Sequence, residues 1–340
     1  MARRKLRILL LCHESLVPPE GHARMTRDER QEFLTESDVV QALERLGHDV
    51  RVVGLYDDLA PLRTAITEHR PHLAVNLLEE FRGLTIYDHN VVSYLELMRV
   101  PYTGCNPRGL VLGRDKALSK KISTYHRIPV PGFAVFRPGR KVERPPRLEF
   151  PLIVKSLTED ASAGIAGASV VHSDEKLVER VEFIHRSLGT ASIVEQYIDG
   201  RELYVGVFGK SRLTVLPVWE LFLDRLPESA PRIATRRAKW DRAYQDRHRI
   251  MMGPAAAMPE GAEARVQRYA RRIYRALNLS GYARLDFRLD ETGRPWFLEA
   301  NPNPELSSDA EFAYSATAVG WTYDRLIARL VAQGLRALEH

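Results

Sequence analysis

The feature that most narrows the fold is an alternation, through the first hundred residues, of short apolar runs with helix-compatible segments. Leu6 to Leu11 is an apolar run of strand length. Ser37 to Leu46 then puts Val39, Val40, Leu43 and Leu46 on one helical face, with Gly47 as a stop. Asp49 to Leu55 returns as a strand, Leu62 to Glu68 is helix-compatible, Leu73 to Leu78 is strand-like and Tyr87 to Met98 has helical character. Strands separated by helices run parallel, because the crossover brings the chain back to the same edge of the sheet. Residues 1–104 therefore read as an α/β lobe, a small parallel sheet covered by helices.

The remainder has a different rhythm. A lysine-rich helix is expected over 115–125, stopped by Ile128-Pro129-Val130-Pro131-Gly132. Gly132 to Arg137 and Leu152 to Lys155 read as strands on either side of a Pro/Arg-rich excursion. A glycine-bearing loop fills Glu159 to Gly167 before Val170-Val171 resumes a strand, Asp174 to Leu188 forms a helix and Ser192 to Tyr197 a further strand. Strands are also expected at Glu202 to Phe208 and Leu213 to Leu216, and a loop over the polar, basic, proline-interrupted stretch from Asp224 to Gly261. A helix over Glu263 to Leu277 leads into strands at Gly281 to Phe287 and Trp296 to Ala300, and Trp321 to Leu338 closes the chain as a helical lid or support. The fold class is α/β with α+β lobes in three units: 1–104, a helical linker and central lobe over 105–208, and a C-terminal lobe over 209–340.

Charge and composition exclude several classes. The net charge of +6 is a small difference between 50 Lys plus Arg and 44 Asp plus Glu, and no basic tract is interleaved with aromatics, so nucleic acid is not expected as a partner. The apolar run at residues 6–12 is too short to cross a membrane and lacks a cleavage site of the secretory kind; neither a membrane nor a secretory route is expected, and the cytoplasm is the expected compartment. Cys12 and Cys105 allow one bridge by count alone and make no disulfide scaffold.

Chemistry is concentrated in a few positions. Asp286 and Glu299 lie on strand candidates joined by the turn-forming Asp290-Glu291-Thr292-Gly293; paired strands would turn both carboxylates to one face beside Asn301, a hard-oxygen set suited to magnesium, or equally a solvated acidic hairpin. Lys155, at the end of the apolar Pro151-Leu152-Ile153-Val154, and Lys116, at the start of its helix, are cations able to hold a triphosphate, although Lys116 alone fits a surface position. Backbone amides of the small-residue loop, with Ser162, can approach phosphates, and the loop follows neither the P-loop nor the dinucleotide spacing. Glu195 and Glu202 flank the Asp199-Gly200 turn and can accept from ribose hydroxyls. Arg284 shares a strand face with Asp286, and Lys239 and Arg237 are further phosphate contacts. No histidine spacing or Gly-x-Ser-x-Gly motif supports a nucleophilic triad.

Five ordered segments then carry a family resemblance: Pro101-Tyr102-Thr103-Gly104 with Asp115-Lys116; Pro151 to Lys155; Val194-Glu195-Gln196-Tyr197-Ile198-Asp199-Gly200-Arg201-Glu202; Tyr282-Ala283-Arg284-Leu285-Asp286-Phe287; and Phe297-Leu298-Glu299-Ala300-Asn301-Pro302. In this order they resemble the ATP-grasp superfamily, particularly its D-alanine–D-alanine ligase branch. The resemblance implies an N-terminal α/β lobe followed by two lobes that grasp ATP. It implies Lys116 and Lys155 at the phosphates under a closing loop, Glu195 near the adenine or ribose edge, Glu202 at the ribose, and Asp286, Glu299 and Asn301 around Mg2+, with Mn2+ as a substitute. Arg284, with Lys155, is implied at the reacting phosphate and carboxylate. The implied reaction is carboxylate–amine ligation through an acylphosphate, with small-molecule or short-peptide substrates; the alternatives are authentic D-alanine–D-alanine ligation, an ATP-grasp kinase and a non-catalytic nucleotide-binding module, and a homodimer is compatible with each.

The substrate side departs from that branch. Residues 76–83 read Asn-Leu-Leu-Glu-Glu-Phe-Arg-Gly where a histidine/glycine-rich signature is expected, and Asn301-Pro302-Asn303-Pro304-Glu305-Leu306 replaces Asn-Thr-Leu-Pro-Gly-Met. Glu79, Glu80 and Glu305 are thus candidate selectivity residues. An acid at the glycine position disfavours an acceptor's carboxylate and favours a cationic or carboxylate-free amine.

Overall fold

The structure, a computed structural model, describes residues 5–159, 164–227 and 230–338. Its first unit runs β1 (Arg7–His13), α1 (Leu34–Arg45), β2 (Asp49–Leu55), α2 (Ala60–His69), β3 (Leu73–Asn76) and α3 (Asp88–Leu97). The strands form a parallel sheet in the order β2-β1-β3, with Ile8 opposite both Val50 and Leu73. The unbroken apolar run in β1 follows from its central place, since helices bury both of its faces. Leu9 and Leu11 join the core with Leu62 of α2 and Val92 of α3, whereas Ile8, Leu10 and Cys12 face Val39 and Leu43 of α1.

Two short helices follow, α4 (Pro107–Arg114) and α5 (Lys116–Tyr125), α5 starting where the Asp115 side chain accepts from the amide of Leu118 at 2.8 Å. The second sheet contains β4 (Phe133–Phe136), β5 (Leu152–Ser156), β6 (Val170–Val171) and, after α6 (Asp174–Leu188), β7 (Ser192–Gln196), in the order β4-β7-β5-β6. Leu152, Val154 and Val194 point at Leu177, Val181 and Ile184 of α6, so the alternate residues Ile153, Lys155 and Glu195 are left for the other face.

The third sheet is antiparallel, in the order β10-β9-β8-β11-β12, from β8 (Arg201–Gly209), β9 (Leu213–Phe222), β10 (Met251–Pro254), β11 (Tyr282–Leu289) and β12 (Pro295–Pro302). Helix α9 (Ala262–Ala276) covers one face: Val266, Ala270 and Ile273 meet Leu203, Val205, Leu285 and Phe287. The seam between the second and third sheets lies near Asp199-Gly200, because β8 pairs with β11 and β9; a division at residue 208 would cut the third sheet at the end of its central strand.

The stretch from Asp224 to Gly261, expected as a loop, holds α7 (Arg236–Trp240), α8 (Arg242–His248) and β10. Its charge hides the helices, but Thr235 and Asp241 cap them, accepting from the amides of Ala238 at 3.1 Å and Tyr244 at 2.9 Å. The chain ends with α10 (Glu311–Thr317) and α11 (Tyr323–Gly334), and α11 packs Leu326, Ile327 and Leu330 into the core beside β1, a support of the first lobe. Cys12 and Cys105 are both buried and unbridged. Among the described residues, no helix is long and apolar enough to cross a membrane.

Candidate active site

The face of the third sheet turned away from α9 carries the polar residues, as strand alternation requires. Register places Asp286 opposite Glu299 and Arg284 opposite Asn301, and on the other side Asp286 opposite Tyr204 and Arg288 opposite Glu202. Opposing this face are the free side chains of the second sheet. A cleft between them is lined by Lys155, Glu195, Glu202, Lys239, Asp286, Arg288 and Glu299, with Ile153, Ile165, Tyr197, Ile198, Ile233 and Leu298 as its apolar wall.

Lys155 lines this cleft, and Lys116 pairs with Glu299, another of its lining residues. Lys116 Nζ stands 3.6 Å from Glu299 Oε2 and donates to the carbonyl of Glu159 at 2.8 Å. Lys155 Nζ donates to Glu195 Oε2 at 3.1 Å. Glu195 is nearly inaccessible and also pairs with Lys120 at 3.2 Å, so its carboxylate is held between two cations. Burial alone would raise its pKa, but Lys120 and Lys155 outweigh that and lower it. Burial brings Lys120 down to about 8, with Glu195 opposing the fall. Sequence reasoning missed Lys120, although its i, i+4 spacing from Lys116 places both on one face of α5.

The facing carboxylates differ in environment. Burial raises the pKa of Asp286 despite the opposing Arg284, while Glu299 is pulled down to about 2: burial works against its charge, and Lys116, Lys155, Lys239 and Arg284 together overcome it. Arg284 donates to Asp286 at 2.8 and 3.0 Å, pairs with Glu311 of α10 and lies over the Tyr204 ring. Asn301 Nδ2 donates to Asp286 Oδ2 at 3.0 Å. Two carboxylates and an amide are hard-oxygen donors, and no third His, Cys, Asp or Glu among the described residues completes a metal cluster with them. Such a set fits Mg2+, which keeps several ligand positions for phosphate oxygens and water.

Glu202 is more engaged than the sequence suggested. Its carboxylate accepts from Arg288 at 2.9 Å and from the Tyr204 hydroxyl at 2.7 Å. Arg288 was also missed; continuing the Arg284, Asp286 alternation along β11 points to it. Of the two cations in the basic stretch, Lys239 lines the cleft, whereas Arg237 pairs with Asp241 at 3.4 Å and lies over Tyr244. Ser162 lies outside the described residues. The end of its loop meets α7, where the Arg236 amide donates to the Ile165 carbonyl at 3.2 Å.

On the substrate side, Glu80 is 3.5 Å from Nε2 of His13, and Glu305 accepts from the Ser307 hydroxyl at 2.7 Å. The Glu79 carbonyl accepts from Arg114 at 3.1 Å. These acids gather around the carboxyl ends of β1 and β3, apart from the nucleotide-side groups.

A family model described as D-ala D-ala ligase C-terminus matches residues 123–332, the stretch that holds both antiparallel sheets and the cleft. The chain belongs to the D-alanine–D-alanine ligase family. Within this family of ATP-grasp ligases, D-alanine–D-alanine ligase of Syntrophotalea carbinolica is 31% identical over 300 residues, covering 86% of this chain and 88% of that protein. An uncharacterized protein of Sinorhizobium fredii, y4sG, is 33% identical over 301 residues, covering 85% and 84%. Among solved structures, D-alanine–D-alanine ligase from Bacillus anthracis complexed with ATP superposes with a TM-score of 0.74 at 20% identity, over 97% of this chain and 98% of that one. VanG D-Ala:D-Ser ligase from Enterococcus faecalis gives 0.71 at 19% identity, over 97% and 100%. Those superpositions establish the ATP-grasp architecture expected from the five motifs.

Proposed function

We propose that the chain joins a carboxylate to an amine, using ATP to activate the acid as an acylphosphate. The observation that carries this reading is that Lys155, Asp286 and Glu299, distant in sequence, line a single cleft between two sheets, with Lys116 paired to Glu299. Separated cations suit the phosphates of ATP, and paired carboxylates with Asn301 suit Mg2+ beside them. Held by Asp286, Glu299 and Asn301, Mg2+ would supply charge neutralisation to the phosphates.

In the proposed chemistry, an oxygen of the substrate carboxylate attacks the γ-phosphorus and the bond to the β-phosphate oxygen breaks, releasing ADP. The amine nitrogen then attacks the acyl carbon, the carbon–oxygen bond to phosphate breaks, the nitrogen gives up a proton and inorganic phosphate leaves. Arg284 is the cation assigned to the reacting oxygens: on the inner strand β11 it shares a face with Asp286, to which it donates, and it also pairs with Glu311 of α10. Lys155, oriented by Glu195, steadies the transferring phosphate, and Lys116 the opposite side. Ile165, in the apolar wall of the cleft, restricts water, which would hydrolyse the activated acid.

The acids at the acceptor end argue against D-alanyl-D-alanine as the preferred product, since Glu305 repels an acceptor carboxylate. The test is an ATP-dependent metabolite screen read by mass spectrometry. ADP and phosphate should appear together with a product lighter by one water than its two precursors. A stable phosphorylated product with no condensed species would make the chain a kinase, and D-alanyl-D-alanine as the dominant product would reject the selectivity reading.

A further inference from the structure

In the sheet order β2-β1-β3 the chain leaves β1 to one side and returns on the other, and ligands of such sheets bind outside the carboxyl ends of the strands at that reversal. His13 ends β1 at this place, Glu79 and Glu80 follow β3, and Glu36 sits in the first turn of α1. Glu305 enters from β12, and its segment is tied to α1 where the Ser308 amide donates to Asp38 at 3.0 Å.

Glu36 sets this crevice apart. It is 5% exposed, its own backbone N–H favours its charged form, and among the described residues it has no other hydrogen-bond donor and no ion-pair partner. Neighbouring acids are accommodated differently: Asp38 pairs with Arg30 at 2.8 Å and Glu80 lies beside His13. Burial, with smaller contributions from Glu79 and Glu305, raises Glu36 to about 7. A buried carboxylate facing two more carboxylates is unfavourable in the ionised form unless a cation compensates it. Among the described residues no such cation reaches Glu36, which leaves the ligand to bring it.

We propose that Glu36, with Glu305, recognises a positively charged substituent of the amine substrate, a second ammonium or a guanidinium that is not flanked by a carboxylate. The assignment rests on the ligase reading and narrows its acceptor class from amines in general to dications. A zwitterionic amino acid brings a carboxylate into the same acidic crevice and is disfavoured by like-charge repulsion.

Calorimetric titration of the full chain tests this, first with a non-hydrolysable ATP analogue and Mg2+, then, on the loaded protein, with putrescine, agmatine and D-alanine separately. Putrescine or agmatine should bind at least about tenfold more tightly than D-alanine. Glu36→Gln and, independently, Glu305→Gln should each weaken that binding about tenfold while nucleotide affinity stays within about twofold. The proposal is overturned if neither dication binds, if D-alanine binds as tightly as both, or if folded variants keep wild-type affinity for the dications. Failure of the wild-type chain to bind the nucleotide analogue would instead overturn the ligase reading beneath it, so the two failures are distinguishable.

Discussion

Asp286 and Glu299 show how one register pair is given two characters by its surroundings. Four cations hold Glu299 ionised at neutral pH, whereas Asp286 is more deeply desolvated and depends on Arg284 and the Asn301 amide. Replacing either carboxylate by its isosteric amide preserves shape and removes the charge that offsets the cations of the cleft. Asp286→Asn and Glu299→Gln should each lower turnover by about 10- to 100-fold or more while the far-ultraviolet circular dichroism stays that of the wild type. Steady-state ADP release checks this; folded variants of both with undiminished turnover would remove the metal role from the pair. Lys120 makes the complementary point, because it acts through Glu195: it holds that carboxylate in place from the side opposite Lys155.

At the scale of elements, the junction between the first lobe and β11 is set by backbone contact. Gly281 has a φ of 72°, and a Cβ there would meet the carbonyl oxygen of Gly104 at 2.3 Å. Gly320 has a similar φ of 76° with open space around it. Both positions carry the left-handed penalty of about 1–2 kcal/mol for an alanine, and only Gly281 adds a collision with main chain. Gly281→Ala should therefore shift the denaturant midpoint clearly further than Gly320→Ala; equal shifts would show that the junction yields easily. The β11–β12 hairpin itself was legible, because the Asp290 to Gly293 turn and the alternation of Arg284, Asp286, Glu299 and Asn301 jointly define a register. Helix α4 was not, since Gly109 and Gly113 weaken its propensity; they serve close packing, against Leu279 and Pro302 respectively, and the readable signals were the Asn106 cap and Pro107 at the first turn. Lys120 and Glu36 were hidden for a related reason: residue type alone reads both as solvent-facing, and only tertiary contacts from β7 and from the segment after β12 bury them.

For the whole molecule, three sheets share out the work. The parallel sheet is braced by α11 from the far end of the chain, and Glu36, Glu79 and Glu305 gather beside it. The two antiparallel sheets, each backed by a helix, turn their polar faces toward each other across the cleft. The order of the five motifs conveyed this division, because each motif lies on or beside an element that faces the cleft or anchors the lobes; the acidic crevice emerged only once α1, β3 and the segment following β12 were brought together. What binds these parts into one account is the transfer of the γ-phosphate to a substrate carboxylate. With a substrate pair identified, the direct measurement is to label that carboxylate with 18O and follow the label by mass spectrometry. Passage through an acylphosphate predicts that each inorganic phosphate released gains one 18O while the amide keeps the other. Release of ADP and unlabelled phosphate alongside the condensed product would contradict it.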